Sequence, residues 1–212
     1  MRFSHFQRCI SARRLFSVFL FTALSMIAAP RAHAVIVMGG DNAFHQALKK
    51  CFDEFLEAGG TAGDIYKQLN QPSPQAHRVT INPTPGYPSG AAKDGLQNQA
   101  QANGPGATPA ANGTPGPGSD STVQWNPNDQ NPLPDGTPRD PCVSLLHELQ
   151  HAADMDKGKL NTSPKPGTTV PANLIPRGGI PVCEVDACTT ENELRKKKGL
   201  PPRRKCGQRD LP

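Results

Sequence analysis

His147-Glu148-Leu149-Gln150-His151 sets two imidazoles four residues apart, with a carboxylate directly after the first. On a helix, positions i and i+4 lie one turn apart on nearly one face, so both rings can reach a single ion. Two neutral imidazoles from one helix hold zinc at low entropic cost. A catalytic zinc takes a third protein ligand and keeps one position open for water. The zinc lowers that water's pKa toward 7, and Glu148 stands where a base for its proton is needed. The chemistry this pattern can perform is hydrolysis of a peptide bond, with the proton later delivered to the leaving amine. The expected cofactor is Zn2+, and the expected partner is a protein or peptide substrate.

The motif needs a helix to work, and the flanking residues supply one. Asp140 is a good N-cap, Pro141 fits the first helical position, and Gly158 supplies a stop, which predicts a helix over 141–157. Val143, Leu145, Leu146, Leu149, Ala152 and Ala153 can bury most of it. Two His and a Glu are costly to set among buried leucines unless something satisfies them. Asp154 and Asp156 are read as a solvated last turn. His45 and His77 have no partner at ligand spacing.

Other elements follow from periodicity. Ala43, Phe44, Ala47, Leu48, Cys51, Phe52, Phe55 and Leu56 predict a helix over 42–57, capped by Asp41 or Asn42 and ended by Gly59-Gly60. A shorter helix is expected over 61–70, a strand at Arg78 to Ile81, and another at Thr122 to Trp125, with Trp125 in the core. Residues 83–121 are rich in Pro, Gly, Ala, Asn, Gln and Thr and read as a disordered, flexible insert with too little apolar surface to offset ordering. Residues 126–139 read as a loop and Ile180 to Val182 as a short extended piece. Thr190-Glu191-Asn192-Glu193 is a capping-box pattern that predicts a last helix through about Lys198.

The first 34 residues have the pattern of a secretory signal peptide: early arginines, the uncharged run Leu15 to Ala29, and Ala32-His33-Ala34 as a cleavage site. The mature chain is then expected outside the cytoplasm, secreted or periplasmic, with no membrane attachment after cleavage. Its five remaining cysteines allow at most two disulfides and one free thiol, and Cys183 and Cys188 could bridge a tight loop. The formal charge of +5 comes from five leader arginines. The rest carries 18 basic and 18 acidic residues, so no nucleic-acid partner is expected from charge. The basic residues Arg195 to Lys198 and Arg203 to Lys205 read as a solvated helix end. No repeat, sustained heptad or second apolar run is present, which excludes a solenoid, a coiled coil and a multi-span membrane protein. Nothing in the sequence sets the oligomeric state.

The order of these pieces resembles the NleD-type family of effector zinc metallopeptidases. The matching residues are the helix from Phe44 to Leu56, Val79-Thr80-Ile81, Trp125-Asn126-Pro127 and Leu145 to Ala152. Thr190-Glu191-Asn192-Glu193-Leu194-Arg195 with Gly199-Leu200-Pro201-Pro202-Arg203 completes the set. The resemblance implies an α+β, zincin-like metallopeptidase core with an HExxH active-site helix and a small sheet. It makes His147 and His151 zinc ligands and Glu148 the catalytic residue. It also places an acidic residue just before the T-E-N element, where Glu184 stands. Glu184 is therefore the expected third ligand, in a segment held on both sides by cysteines, with Glu191 and Asp186 as alternatives.

The resulting expectation is a signal peptide over 1–34, a catalytic domain from 35–82 and 122–205 around the 83–121 insert, and a tail over 206–212. Its function is that of an exported zinc endopeptidase, an effector or toxin. Two rival readings stay open: a non-catalytic secreted binding module with a basic C-terminal tail, and a zinc amidase acting on cell-wall peptides.

Overall fold

A computed structural model describes residues 36–72, 77–89, 98–133, 135–168 and 179–206, and the backbone of 209–210. The expected signal peptide lies outside the described residues. Among those described, no helix is long and apolar enough to cross a membrane.

The chain is α+β. A four-stranded mixed sheet has the order β1 (Ile36–Met38), β2 (Val79–Pro83), β4 (Ser121–Trp125), β3 (Gln99–Ala102). β1, β2 and β4 run parallel, and β3 pairs antiparallel with β4 at the edge. The register sets Val79 beside Ser121 and Ile81 beside Val123. Strand side chains alternate in direction, so Val79, Ile81, Val123 and Trp125 bury on one face. Against that layer pack α1 (Asn42–Ala58), α2 (Gly60–Asn70) and α3 (Pro141–Asp156). α1 contributes Phe44, Leu48, Cys51, Phe52 and Phe55, the stripe its 3.6-residue period predicts. Asp41 caps it by accepting from the Phe44 N–H at 2.8 Å.

α3 begins as its sequence requires, with Asp140 accepting from the Val143 N–H at 3.0 Å and Pro141 in the first turn. Three ties fix that start. The Trp125 indole N–H donates to the Pro141 carbonyl at 2.9 Å, Cys142 is bonded to Cys51 of α1, and Lys198 reaches Asp140 at 2.6 Å and Glu54 at 2.7 Å.

The structure corrects several expectations. The last helix, α4 (Val182–Lys197), begins eight residues before Thr190, so the capping-box pattern lies inside it. Its first N–H groups are met elsewhere: Val182 and Cys183 donate to the Ser163 and Asn161 carbonyls at 2.9 Å each. Thr190 is free of capping duty and its hydroxyl donates to Gln150 of α3 at 3.0 Å. Cys183 and Cys188 fall on different faces of this helix and cannot bridge. Cys188 instead joins Cys206, leaving Cys183 as the buried free thiol. Cys206 is thereby anchored, within a small ladder of β5 (Lys205–Cys206) and β6 (Arg209–Asp210), where a tail was expected.

The expected insert is also ordered over 98–121. β3 lies within it, and the remainder bonds by backbone to the end of α3: Ser119 N–H to the Met155 carbonyl at 3.0 Å, and Gly116 N–H to the Gly158 carbonyl at 2.9 Å. Gly118 has φ +88°, and a Cβ there would collide with the Asp156 carbonyl and the His77 ring. Hydrogen bonds and glycine contacts thus order a segment whose composition offers little apolar burial. Residues 90–97 of the insert lie outside the described residues.

Candidate metal centre

α3 is buried on nearly every side, and thirteen of its sixteen residues are inside. His147, Glu148 and His151 share this burial, so each must find a polar partner or a ligand. One helical turn brings the two rings together: their Nε2 atoms are 3.2 Å apart and the rings meet edge to face.

α4 supplies the other wall. Glu184, in its first turn, spans both rings, with Oε1 3.3 Å from His151 Nε2 and Oε2 3.5 Å from His147 Nε2. Glu191 lies two turns further along the helix, so it returns to the same side and meets the other edge of His147. Its Oε1 is 3.2 Å from Nδ1, an ion-pair distance without the alignment of a straight hydrogen bond. Behind it, Arg203 Nη1 donates to both Glu191 oxygens, at 2.8 and 2.7 Å.

Charge follows geometry. Burial opposes a charge on His147, but the Glu184 and Glu191 carboxylates beside its two ring nitrogens outweigh it and lift its pKa to about 10. The same histidines hold Glu184 well below the usual carboxylate range. Burial pushes Glu191 up, yet His147 and Arg203 bring it below its ordinary value. Burial raises Glu148 above the ordinary value, with His147 and His151 opposing.

His147, His151 and Glu184 form a set of donors, all within 4.8 Å of one another, that could hold a metal ion. Two other groups among the described residues have the proximity but not the chemistry. His147, Cys188, Glu191 and Glu54, Asp140, Cys142 each include a disulfide-bonded cysteine, and Lys198 already occupies the carboxylates of the second. The Glu184 set opens into a cleft of about 440 Å3, lined also by Gln99 and Ala100 of β3, Leu133 and Arg139.

Asp186, the weakest candidate ligand, sits 3.9 Å from Lys165 with half its side chain exposed. His45 and His77 stay outside the site, on the Gly39 carbonyl and on Asp156. Asp156 is buried rather than solvated, accepting from the His77 N–H at 2.9 Å and Gln68 at 3.1 Å. Some of the C-terminal cations are exposed as expected, Lys196 and Arg204 among them, but others are structural. Arg195 is fully buried, donating to the Pro201 and Pro138 carbonyls at 2.7 and 3.0 Å, and Lys197 caps the carbonyls at the end of α1. Reading these charges as a solvated cluster hid Arg203. The available signal was the Gly199 and Pro201-Pro202 stop, which turns the chain back beside α4.

Helix-borne histidines one turn apart, a carboxylate between them in sequence and acidic partners from a second helix, set on a small mixed sheet, define a peptidase-like α+β protein. Residues 34–178 match the Peptidase M91 family, described as effector protein, and the chain belongs to that family. The match includes His147, Glu148 and His151 and ends before Glu184. No curated protein matches the chain.

Proposed function

We propose that the protein is an exported zinc-dependent endopeptidase that acts on a protein substrate as an effector or toxin. The observation that carries this reading is the convergence of His147 Nε2, His151 Nε2 and the Glu184 carboxylate. Their separations of 3.2, 3.3 and 3.5 Å suit ligands about 2.0–2.1 Å from one tetrahedral zinc, which stand about 3.4 Å apart. The three carboxylates of Glu148, Glu184 and Glu191 around two buried histidines also favour a cation at this point. Zinc held there would supply Lewis-acid activation of water at neutral pH.

The remaining work falls to the chain. Glu148 follows His147 and lines the same cleft, so it can take a proton from an attacking water and return it to the leaving amine. Gln99 and Ala100 of β3, with Leu133 and Arg139, line the cleft along which a peptide would lie. Membership of a peptidase family supports the reaction class. Two disulfides support an oxidising compartment, and hence secretion or a periplasmic location once residues 1–34 are removed.

Glu148→Gln tests the assignment. The variant should bind zinc like the parent and lose at least about 10²–10⁴-fold of peptide hydrolysis, the range for a lost general base. A Glu148→Gln protein that keeps most of its activity would rule the role out.

A further inference from the structure

The T-E-N element and Arg203 are built around one histidine. Imidazole offers two distinct nitrogens, and the partner of one decides what the other can do. His147 turns Nε2 toward His151 and Glu184, and Nδ1 toward Glu191. Glu191 is only 2% exposed and is gripped through both oxygens by Arg203. Arg203 is itself fixed by backbone: its N–H donates to Asn192 Oδ1 at 2.6 Å, and Asn192 Nδ2 donates back to its carbonyl at 2.9 Å. Thr190 ties the same turn of α4 to Gln150 of the histidine helix. Neither Nδ1 has an aligned hydrogen bond among the described residues, but that of His147 has Glu191 at ion-pair distance, whereas the carboxylate beside His151 is Glu184 at its Nε2.

We propose that Glu191, clamped by Arg203, is the positioning residue for His147: it accepts from the Nδ1–H, holding the proton on Nδ1 and leaving the Nε2 lone pair facing the His151–Glu184 donors. This rests on the metal-centre reading above. It assigns Glu191 a part other than ligand, because both its oxygens are engaged by Arg203 and it meets the far edge of the ring. Outer partners of this kind fix the tautomer and ring orientation of a ligating histidine.

The test uses the full mature chain and zinc in competition with a chromogenic chelator. Glu191→Ala should weaken zinc binding about 10–100-fold. Glu191→Gln, which keeps one acceptor oxygen, should fall between it and the parent, and Arg203→Ala should weaken binding less than Glu191→Ala. Cobalt(II) in place of zinc should keep the parent's visible absorption in Glu191→Gln, whose ligands are intact, and lose it in Glu184→Ala. Unchanged zinc affinity in the Glu191 variants, beside a zinc-binding parent, would overturn this proposal alone. So would loss of the cobalt signature in Glu191→Gln with its retention in Glu184→Ala, which would make Glu191 the ligand. A parent that binds no zinc would overturn the metal-centre reading itself. Should Glu191→Ala fail to fold, Glu191→Gln and Arg203→Ala carry the comparison.

Discussion

Replacing Cys51 and Cys142 together by alanine should cost more stability than any single surface change in this protein. The bond joins α1 to the first turn of α3 across a sequence separation of 91 residues. Cross-linking restricts the unfolded chain, and the entropy removed grows with the logarithm of the enclosed loop. For this separation the chain-entropy relation gives about 4.6 kcal/mol at 25 °C. The Cys188–Cys206 bond spans 18 residues, for which the same relation gives about 3.2 kcal/mol. The two double-alanine variants should therefore differ by about 1.4 kcal/mol. At about 2–4 °C per kcal/mol for a chain of this size, the long-loop variant should melt roughly 10–18 °C below the parent. Urea unfolding followed by circular dichroism, on metal-free protein at pH 7, measures both. The m-value should also rise, because the released chain exposes more surface on unfolding. If removing the 18-residue link costs more than removing the 91-residue link, the entropic account is wrong, and native packing around Cys188 dominates.

Two further expectations concern buried charge. The carboxyl pKa of Asp156 is lowered, since burial is outweighed by the His77 N–H, Lys157 and Gln68. A depressed pKa contributes stability that is present above the unfolded value of about 3.9 and lost as pH falls through the folded value. The thermal midpoint should therefore drop as pH is lowered below about 4, and Asp156→Asn should start lower at pH 7 and show a shallower acid limb; identical acid limbs would refute it. Arg195→Met should lose about 2–4 kcal/mol in chemical denaturation, because two carbonyls inside the fold lose their donor. A loss under about 0.5 kcal/mol would mean that water replaces the guanidinium.

Where the sequence pattern was strong, it located the structure well. The apolar stripe of α1 and the Asp140-Pro141 start of α3 specify helices locally, and each forms with its expected cap. The spacing of His147 and His151 is a property of one helix, so their meeting was legible without any tertiary information. The partners from α4 were harder to read. Val182, Val185 and three Cys or Thr residues disguise the helix start, which is set by bonds to Ser163 and Asn161 far back in the chain. With the start misplaced, Glu184 and Glu191 were not seen as two residues on one side of one helix. β3 was missed because the apolar positions of Gln99-Ala100-Gln101-Ala102 are only alanines, and its strand conformation comes from pairing with β4. Arg203 looked like one of several surface cations, and only the folded chain places it on Glu191.

The central claim is that His147, His151 and Glu184 hold one metal ion. Metal analysis of the purified mature protein beside His147→Ala and Glu184→Ala measures it most directly, with circular dichroism to confirm that each variant is folded. The account predicts near one zinc per chain in the parent and most of it lost in both variants. Equal metal in all three folded proteins, or none in the parent, would contradict it.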